Sequence, residues 1–146
     1  MYKQILVPVD LNDKGFSDKA VEIAVWHAKH SNAEVHLLNV LPGIHMSMVA
    51  TYFPKDAANQ MKQDVKAQLE FFANQHIDDE IIYKVHVAEG KPYTTILEYA
   101  ERLGADLIVI PSHKRSKIDK VVLGSVASKV VQNSRINVLV VKPQSD

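Results

Sequence analysis

The sequence predicts one α/β domain spanning residues 1–146, a three-layer α/β/α arrangement built on a five-stranded, mostly parallel sheet. Three observations carry this expectation. Short β-branched runs alternate with longer stretches of helical periodicity, and a turn residue marks each change of period. The first run, Ile5-Leu6-Val7-Pro8-Val9, is apolar throughout, as a strand covered on both faces must be. A chain of 146 residues buries enough surface for one core without staples, and this one contains no cysteine.

Strand one is expected over Gln4 to Asp10. Ser17 can then cap a helix whose apolar stripe runs through Ala20, Ile23, Ala24 and Ala28, with Val21 and Val25 beside it. Strand two covers Glu34 to Leu41, and Pro42 to Pro54 keeps neither period and reads as a long loop. A helix from about Asp56 to Gln75 sets Met61, Val65, Leu69 and Phe72 on one face, and strand three follows over Ile81 to Ala88. Pro92 opens a helix carrying Ile96, Ala100 and Leu103, which Gly104 closes in a left-handed cap. Strand four is Leu107 to Pro111. Beyond a basic stretch, Ser112 to Lys117, Gly124-Ser125 starts a helix with Val126, Val130 and Val131 inward, and strand five runs from Asn137 to Lys142.

The 17 Lys and Arg balance the 17 Asp and Glu, so no overall field draws the chain to nucleic acid or to an anionic membrane. The absence of cysteine removes disulfides, thiolate metal sites and thiol nucleophiles, and fits a reducing cytoplasm. The apolar run at the N-terminus is too short for a signal peptide or a membrane span. The expectation is a cytoplasmic protein whose partners are recognised locally.

In an open parallel sheet, ligands bind beyond the carboxyl ends of the strands, where helix N-termini face the gap. That rule selects Pro8-Val9-Asp10, Val40-Leu41-Pro42 and Pro111-Ser112-His113. The segment Ile110-Pro111-Ser112-His113-Lys114 is followed, after nine intervening residues, by Gly124-Ser125-Val126. This pattern resembles the nucleotide motif of the universal stress protein family, Gly-x-x-Gly, nine residues, then Gly-Ser or Gly-Thr. Ile5 to Asp10 and Asn137 to Val141 resemble that family's first and last strands, so the likeness spans the whole chain.

The resemblance implies a Rossmann-like fold of the adenine nucleotide alpha hydrolase-like type, closest in style to the family's nucleotide-binding branch. It implies ATP or ADP as ligand, with Mg2+ or Mn2+ carried on the phosphates. Asp10 and Val40 would face the base, Pro8 and Val9 the adenosine, Ile110 and Pro111 the ribose. Ser112, Lys114, Gly124, Ser125 and Val126 would face the ribose and phosphates, with His113 beside the site. The chemistry is reasonable for Gly124-Ser125, because the first amides of a helix lack intrahelical acceptors and sit at the positive end of its dipole. Bland readings stand beside these: Ser125 as a simple cap, Asp10 holding the amides of its own turn, Val40 as core. Two departures from the pattern are Pro111 and Lys114, where ATP binders of the family carry glycine. Proline also lacks a donor.

Other chemistry finds less support. His27 and His30 share a helix face but no third ligand follows at a suitable distance, so a solvent-facing pair is expected. His113 lacks a legible orienting acid. No Gly-x-Gly-x-x-Gly follows the first strand, and no Gly-Lys-Ser phosphate loop occurs. Strand five is expected at or near the sheet edge, and the resemblance implies that segment 137–142 pairs with its copy in a homodimer.

Three readings follow from the sequence. The first is a stress-response regulatory protein that binds adenine nucleotide and signals occupancy through its dimer surface to an unidentified protein partner, without efficient catalysis. The second is a dimeric interaction protein of the same fold whose cleft has lost the nucleotide through Pro111 and Lys114. The third is a slow ATPase or autophosphorylating enzyme assisted by His113 or Ser125. It is weakened because Asp119 is the only acidic residue between strand four and Gly124, while phosphoryl transfer needs carboxylates for its metal.

Overall fold

The apolar N-terminal run forms β1 (Gln4–Pro8), whose Ile5, Leu6 and Val7 are fully buried. The computed structural model describes residues 1–12, 15–41, 55–112 and 123–142. In chain order the remaining elements are α1 (Asp18–Ser31), β2 (Glu34–Leu41), α2 (Lys55–His76), β3 (Tyr83–Glu89), α3 (Pro92–Leu103), β4 (Leu107–Pro111), α4 (Ser125–Asn133) and β5 (Asn137–Val141). The strands form one sheet in the order β3-β2-β1-β4-β5, and every pairing is parallel. The mostly parallel sheet expected from the sequence is therefore parallel throughout the described residues.

Strand alternation splits the core into two halves. Ile5, Val7, Val35, Leu37 and Val109 face α1 and α2, meeting Ala20, Val21, Ala24 and Ala28 of the first helix and Leu69 and Ala73 of the second. Leu6, Leu38, Ile108 and Ile110 face the other way, onto Ile96 and Ala100 of α3 and Ala127 and Val130 of α4. Near-continuous apolar strands are the consequence, since both faces are covered.

The structure corrects several local expectations. Strand one stops at Pro8 rather than Asp10. Val9 still donates to the Leu38 carbonyl at 2.8 Å, but the Asp10 amide leaves the ladder and donates to the Ser17 hydroxyl at 2.9 Å. The same bond explains why Ser17, although it sits at the N-cap of α1, makes no side-chain cap: its oxygen is already turned to Asp10. Strand three starts at Tyr83, because the Ile81 amide closes a turn onto the Asp78 carbonyl at 3.1 Å. Val131 does not point inward. It is 43% exposed, since the packed face of α4 is defined by Val130 and Ala127, and Val131 lies about 100° further round the helix.

The predicted start and stop of α3 hold. Pro92 occupies its first turn, and Gly104 closes it at φ 66°, with its amide donating back to the helix. Gly90 is required just before that helix. At φ 143° its amide donates to the Leu41 carbonyl at 3.0 Å, and a Cβ there would stand 2.7 Å from Thr95 Oγ1. The expected loop over Pro42 to Pro54 lies outside the described residues.

Candidate functional site

From β1 the chain passes to β2 on one side and later returns to β4 on the other, so the carboxyl ends of β1 and β4 diverge. A cleft of about 420 Å3 opens there. Its floor comes from the strand ends: Pro8, Val9 and Asp10 after β1, Leu38 to Leu41 of β2, Ile110 and Pro111 of β4. One wall is the start of α4, Gly124 to Ala127, and another is the start of α3 at Pro92 and Ile96. Asn12 and Phe16, in the connection after β1, complete the described rim.

At α4 the N-cap is Gly124, which carries no side chain to cap the helix, and the first turn holds no acidic residue. The Gly124 carbonyl accepts the Ser128 amide at 2.8 Å. The amides of Ser125, Val126 and Ala127 precede the first possible α-helical bond, and among the described residues they have no acceptor. Three donors at the positive end of a helix therefore border the cleft, an arrangement that favours an anion.

At the end of β1, Asp10 Oδ1 accepts the Asn12 amide at 2.9 Å, so the carboxylate organises its own turn while lining the cleft. The end of β2 is set by Asn39, 9% exposed, whose Nδ2 donates to the Val9 carbonyl at 2.8 Å. Val40 is half-buried and packs with the second core cluster, so it is both core and cleft lining.

Of the residues singled out in the sequence, Pro8, Val9, Asp10, Val40, Ile110, Pro111, Gly124, Ser125 and Val126 are brought together around this cleft. Ser112 is not among its lining. It is 2% exposed, its amide donates to the Val141 carbonyl at 2.9 Å, and its Oγ has no hydrogen-bond partner among the described residues. His113 and Lys114 lie outside the described residues. Asn12, Phe16, Asn39, Pro92 and Ile96 line the cleft without having been singled out. A signal existed for Asn39, a polar residue near the carboxyl end of the run Leu37 to Leu41, which is otherwise apolar. Pro92 and Ile96 arrive through tertiary packing.

Away from the cleft, His36 of β2 is 3% exposed, its Nδ1 lying 3.0 Å from His86 Nε2 on β3 and its Nε2 2.6 Å from Gln4 Oε1. With the amide oxygen of Gln4 as acceptor, His36 donates through Nε2 and His86 donates to His36 Nδ1. Burial is the main cause holding both imidazoles below their ordinary value of 6.5. For His36, Glu34 opposes that shift and Lys84 adds to it, and for His86, His36, Lys84 and Lys66 reinforce it. His27 makes edge contacts with Tyr2 and Trp26, and His30 stacks on Trp26 and binds its carbonyl, so this pair forms an aromatic surface cluster. Among the described residues no group of three or more His, Asp or Glu is placed to hold a metal. No described helix is long and apolar enough to cross a membrane.

Comparison with known proteins places this arrangement in context. The model of the universal stress protein family matches residues 1–142. Universal stress protein G of Shigella flexneri is 36% identical over 145 residues, covering 97% of this chain and 100% of that protein. Among solved structures, that of protein MJ0577 superposes with a TM-score of 0.81 at 27% identity, covering 100% of this chain and 99% of the other. The universal stress protein of Archaeoglobus fulgidus, solved in complex with dAMP, has the same fold, with a TM-score of 0.66 at 20% identity over 95% of this chain and 97% of its own.

Proposed function

The chain belongs to the universal stress protein family, and on that premise we propose that it is an adenine-nucleotide-binding regulatory protein that takes ATP or ADP at the β1/β4 cleft. One observation carries the reading: three uncapped amides at the start of α4 border a cleft at the switch point of a parallel sheet. The phosphates lie against Gly124, Ser125 and Val126, and any Mg2+ or Mn2+ is held through them. Ile110 and Pro111 lie under the ribose, with Pro8, Val9, Asp10 and Val40 toward the adenosine. Lys114, which lies outside the described residues, is proposed as a phosphate contact, with His113 adjacent to the site. The complex of the A. fulgidus protein with dAMP supports an adenine nucleotide of some kind as the ligand.

The regulatory output is assigned to a homodimer formed through β5 in the cytoplasm. That strand lies at the sheet edge, and Val138, Leu139 and Val140 are only half-buried there. Mass spectrometry of ligand released from freshly purified protein tests the assignment directly. An adenine nucleotide is expected, and ATP is expected to raise the melting temperature by mass action. No ligand and no shift at millimolar ATP would replace this reading with the second one, a dimeric interaction protein without nucleotide. One observation favours that alternative: Pro111, which has no N–H to offer, lines the cleft floor where nucleotide binders of the family have glycine.

A further inference from the structure

We propose that the outer edge of β3 receives an extended segment of a partner protein, one that alternates acidic and apolar residues and joins the sheet as a further strand. In a strand the N–H and C=O of one residue point to the same side, and successive residues point to opposite sides. The Ile82 carbonyl accepts the Val35 amide of β2 at 3.0 Å, and the Gly90 amide donates to the Leu41 carbonyl, also at 3.0 Å. Lys84, His86 and Ala88 therefore turn their backbone toward β2, and Tyr83, Val85 and Val87 turn theirs outward. β3 ends the sheet, so among the described residues no strand pairs with the amides and carbonyls of those last three. A row of alternating donors and acceptors matches another extended backbone, whereas a phosphate would meet the carbonyls as well as the amides.

The surroundings of this edge select the chemistry of the partner. A groove of about 480 Å3 lies along it, between Lys66, Glu70 and Asn74 of α2 and residues Tyr83 to His86. Tyr83, Val85 and Val87 pack against the first core cluster yet stay half-buried, which leaves apolar surface for every second residue of an added strand. The other face of β3 carries Lys84, which is exposed, and His86, whose ring meets Tyr99 of α3 edge-on, with the Arg102 guanidinium 4.9 Å from the centre of the Tyr99 ring. Lys66 and Lys84 both act electrostatically on His86. Against Lys66, Lys84 and Arg102 the groove carries one acid, Glu70. Asp78 and Glu80, just before β3, act on Lys29 of α1, and Lys62 and Glu89 pair with each other at 2.9 Å at the far end of the strand. The edge is therefore basic, and acidic side chains at alternate positions of the incoming segment meet Lys84 and His86. The same charges disfavour a second copy, because pairing two β3 strands antiparallel about Val85 sets Lys84 opposite His86 of the other copy and doubles the positive charge along one seam.

The experiment is titration of the full chain with a synthetic peptide as long as β3 that alternates glutamate and valine, with both ends blocked, followed by NMR and by amide hydrogen exchange. Binding is expected and should weaken with added salt, and the same peptide with lysine in place of glutamate is expected to bind at least about ten-fold more weakly. At saturation the amides of Tyr83, Val85 and Val87 are expected to exchange at least about ten-fold more slowly, while those of Lys84 and His86, which already face β2, change little. Lys84→Glu, at an exposed position, is expected to weaken binding of the acidic peptide by about ten-fold while leaving the melting temperature within a few degrees of the parent. No binding, equal binding of both peptides, protection without the alternation, or unchanged affinity in Lys84→Glu would each overturn the inference. So would slow exchange at the three outward amides before any peptide is added, since the edge would then be occupied already, by a second copy if the protection falls on dilution and by the chain itself if it does not.

Discussion

Replacing Gly124 with valine probes the start of α4. The backbone at Gly124 has φ −60° and ψ 159°, a conformation open to any L-residue, so the substitution carries no dihedral strain. Its cost to folding is expected to stay below about 1 kcal/mol. The branched side chain, however, stands directly before the amides of Ser125, Val126 and Ala127. Displacing a phosphate from two of these donors removes about 1.5–3 kcal/mol each, or roughly 3–6 kcal/mol in all. That corresponds to a loss of about 10² to 10⁴ in affinity. Titration calorimetry with Mg-ATP reads the loss directly. In a melting experiment, nucleotide at about a hundred times its Kd stabilises the unsubstituted protein by about 2.7 kcal/mol, a rise of roughly 5–10 °C, and the variant by nothing measurable. Sedimentation is expected to show the same association state for both proteins. Binding by Gly124→Val within about two-fold of the parent would refute the placement of the phosphates at this helix, whatever else the cleft holds.

Three further outcomes follow from named contacts. Ile108→Ala, at a fully buried position between β1 and β5, should lower unfolding stability by about 2–5 kcal/mol in urea, and a change below about 1 kcal/mol would mean that the core there collapses around the loss. The His36–His86 pair makes stability depend on pH. Burial keeps both below 6.5 in the fold, so the unfolded chain takes up protons first as pH falls. The contribution is complete above 6.5 and is lost as pH drops through the lower folded values. The urea midpoint should decline over that window and His86→Gln should flatten the decline, and an unchanged slope in that variant would remove the pair as its cause. Val140→Lys, on the half-buried outer strand, should convert a dimer to monomer in sedimentation equilibrium without lowering the melting temperature by more than a few degrees, and a persistent dimer would move the interface away from β5.

The order and type of the elements were legible because they depend on local chemistry. Alternation between the strand and helix periods, Pro92 at a helix start and Gly104 in a left-handed cap are properties of a few consecutive residues, and they place β2, α3 and β4 where expected. The motif around Gly124 was legible for the same reason: an uncapped helix start is written in its own sequence. Element ends were less so. Asp10 leaves its strand because Ser17, seven residues on, offers a better acceptor for its amide, and Val131 faces outward because of what packs on α4. The rest of the cleft was decided by tertiary structure alone. Pro92 and Ile96 come from a helix distant in sequence from β1, and Asn39 reaches the carbonyl of Val9 across 30 positions. Periodicity reports which face of a segment is buried, but which segments then meet depends on strand order, and a parallel sheet assembles its site from chain ends that only folding brings side by side.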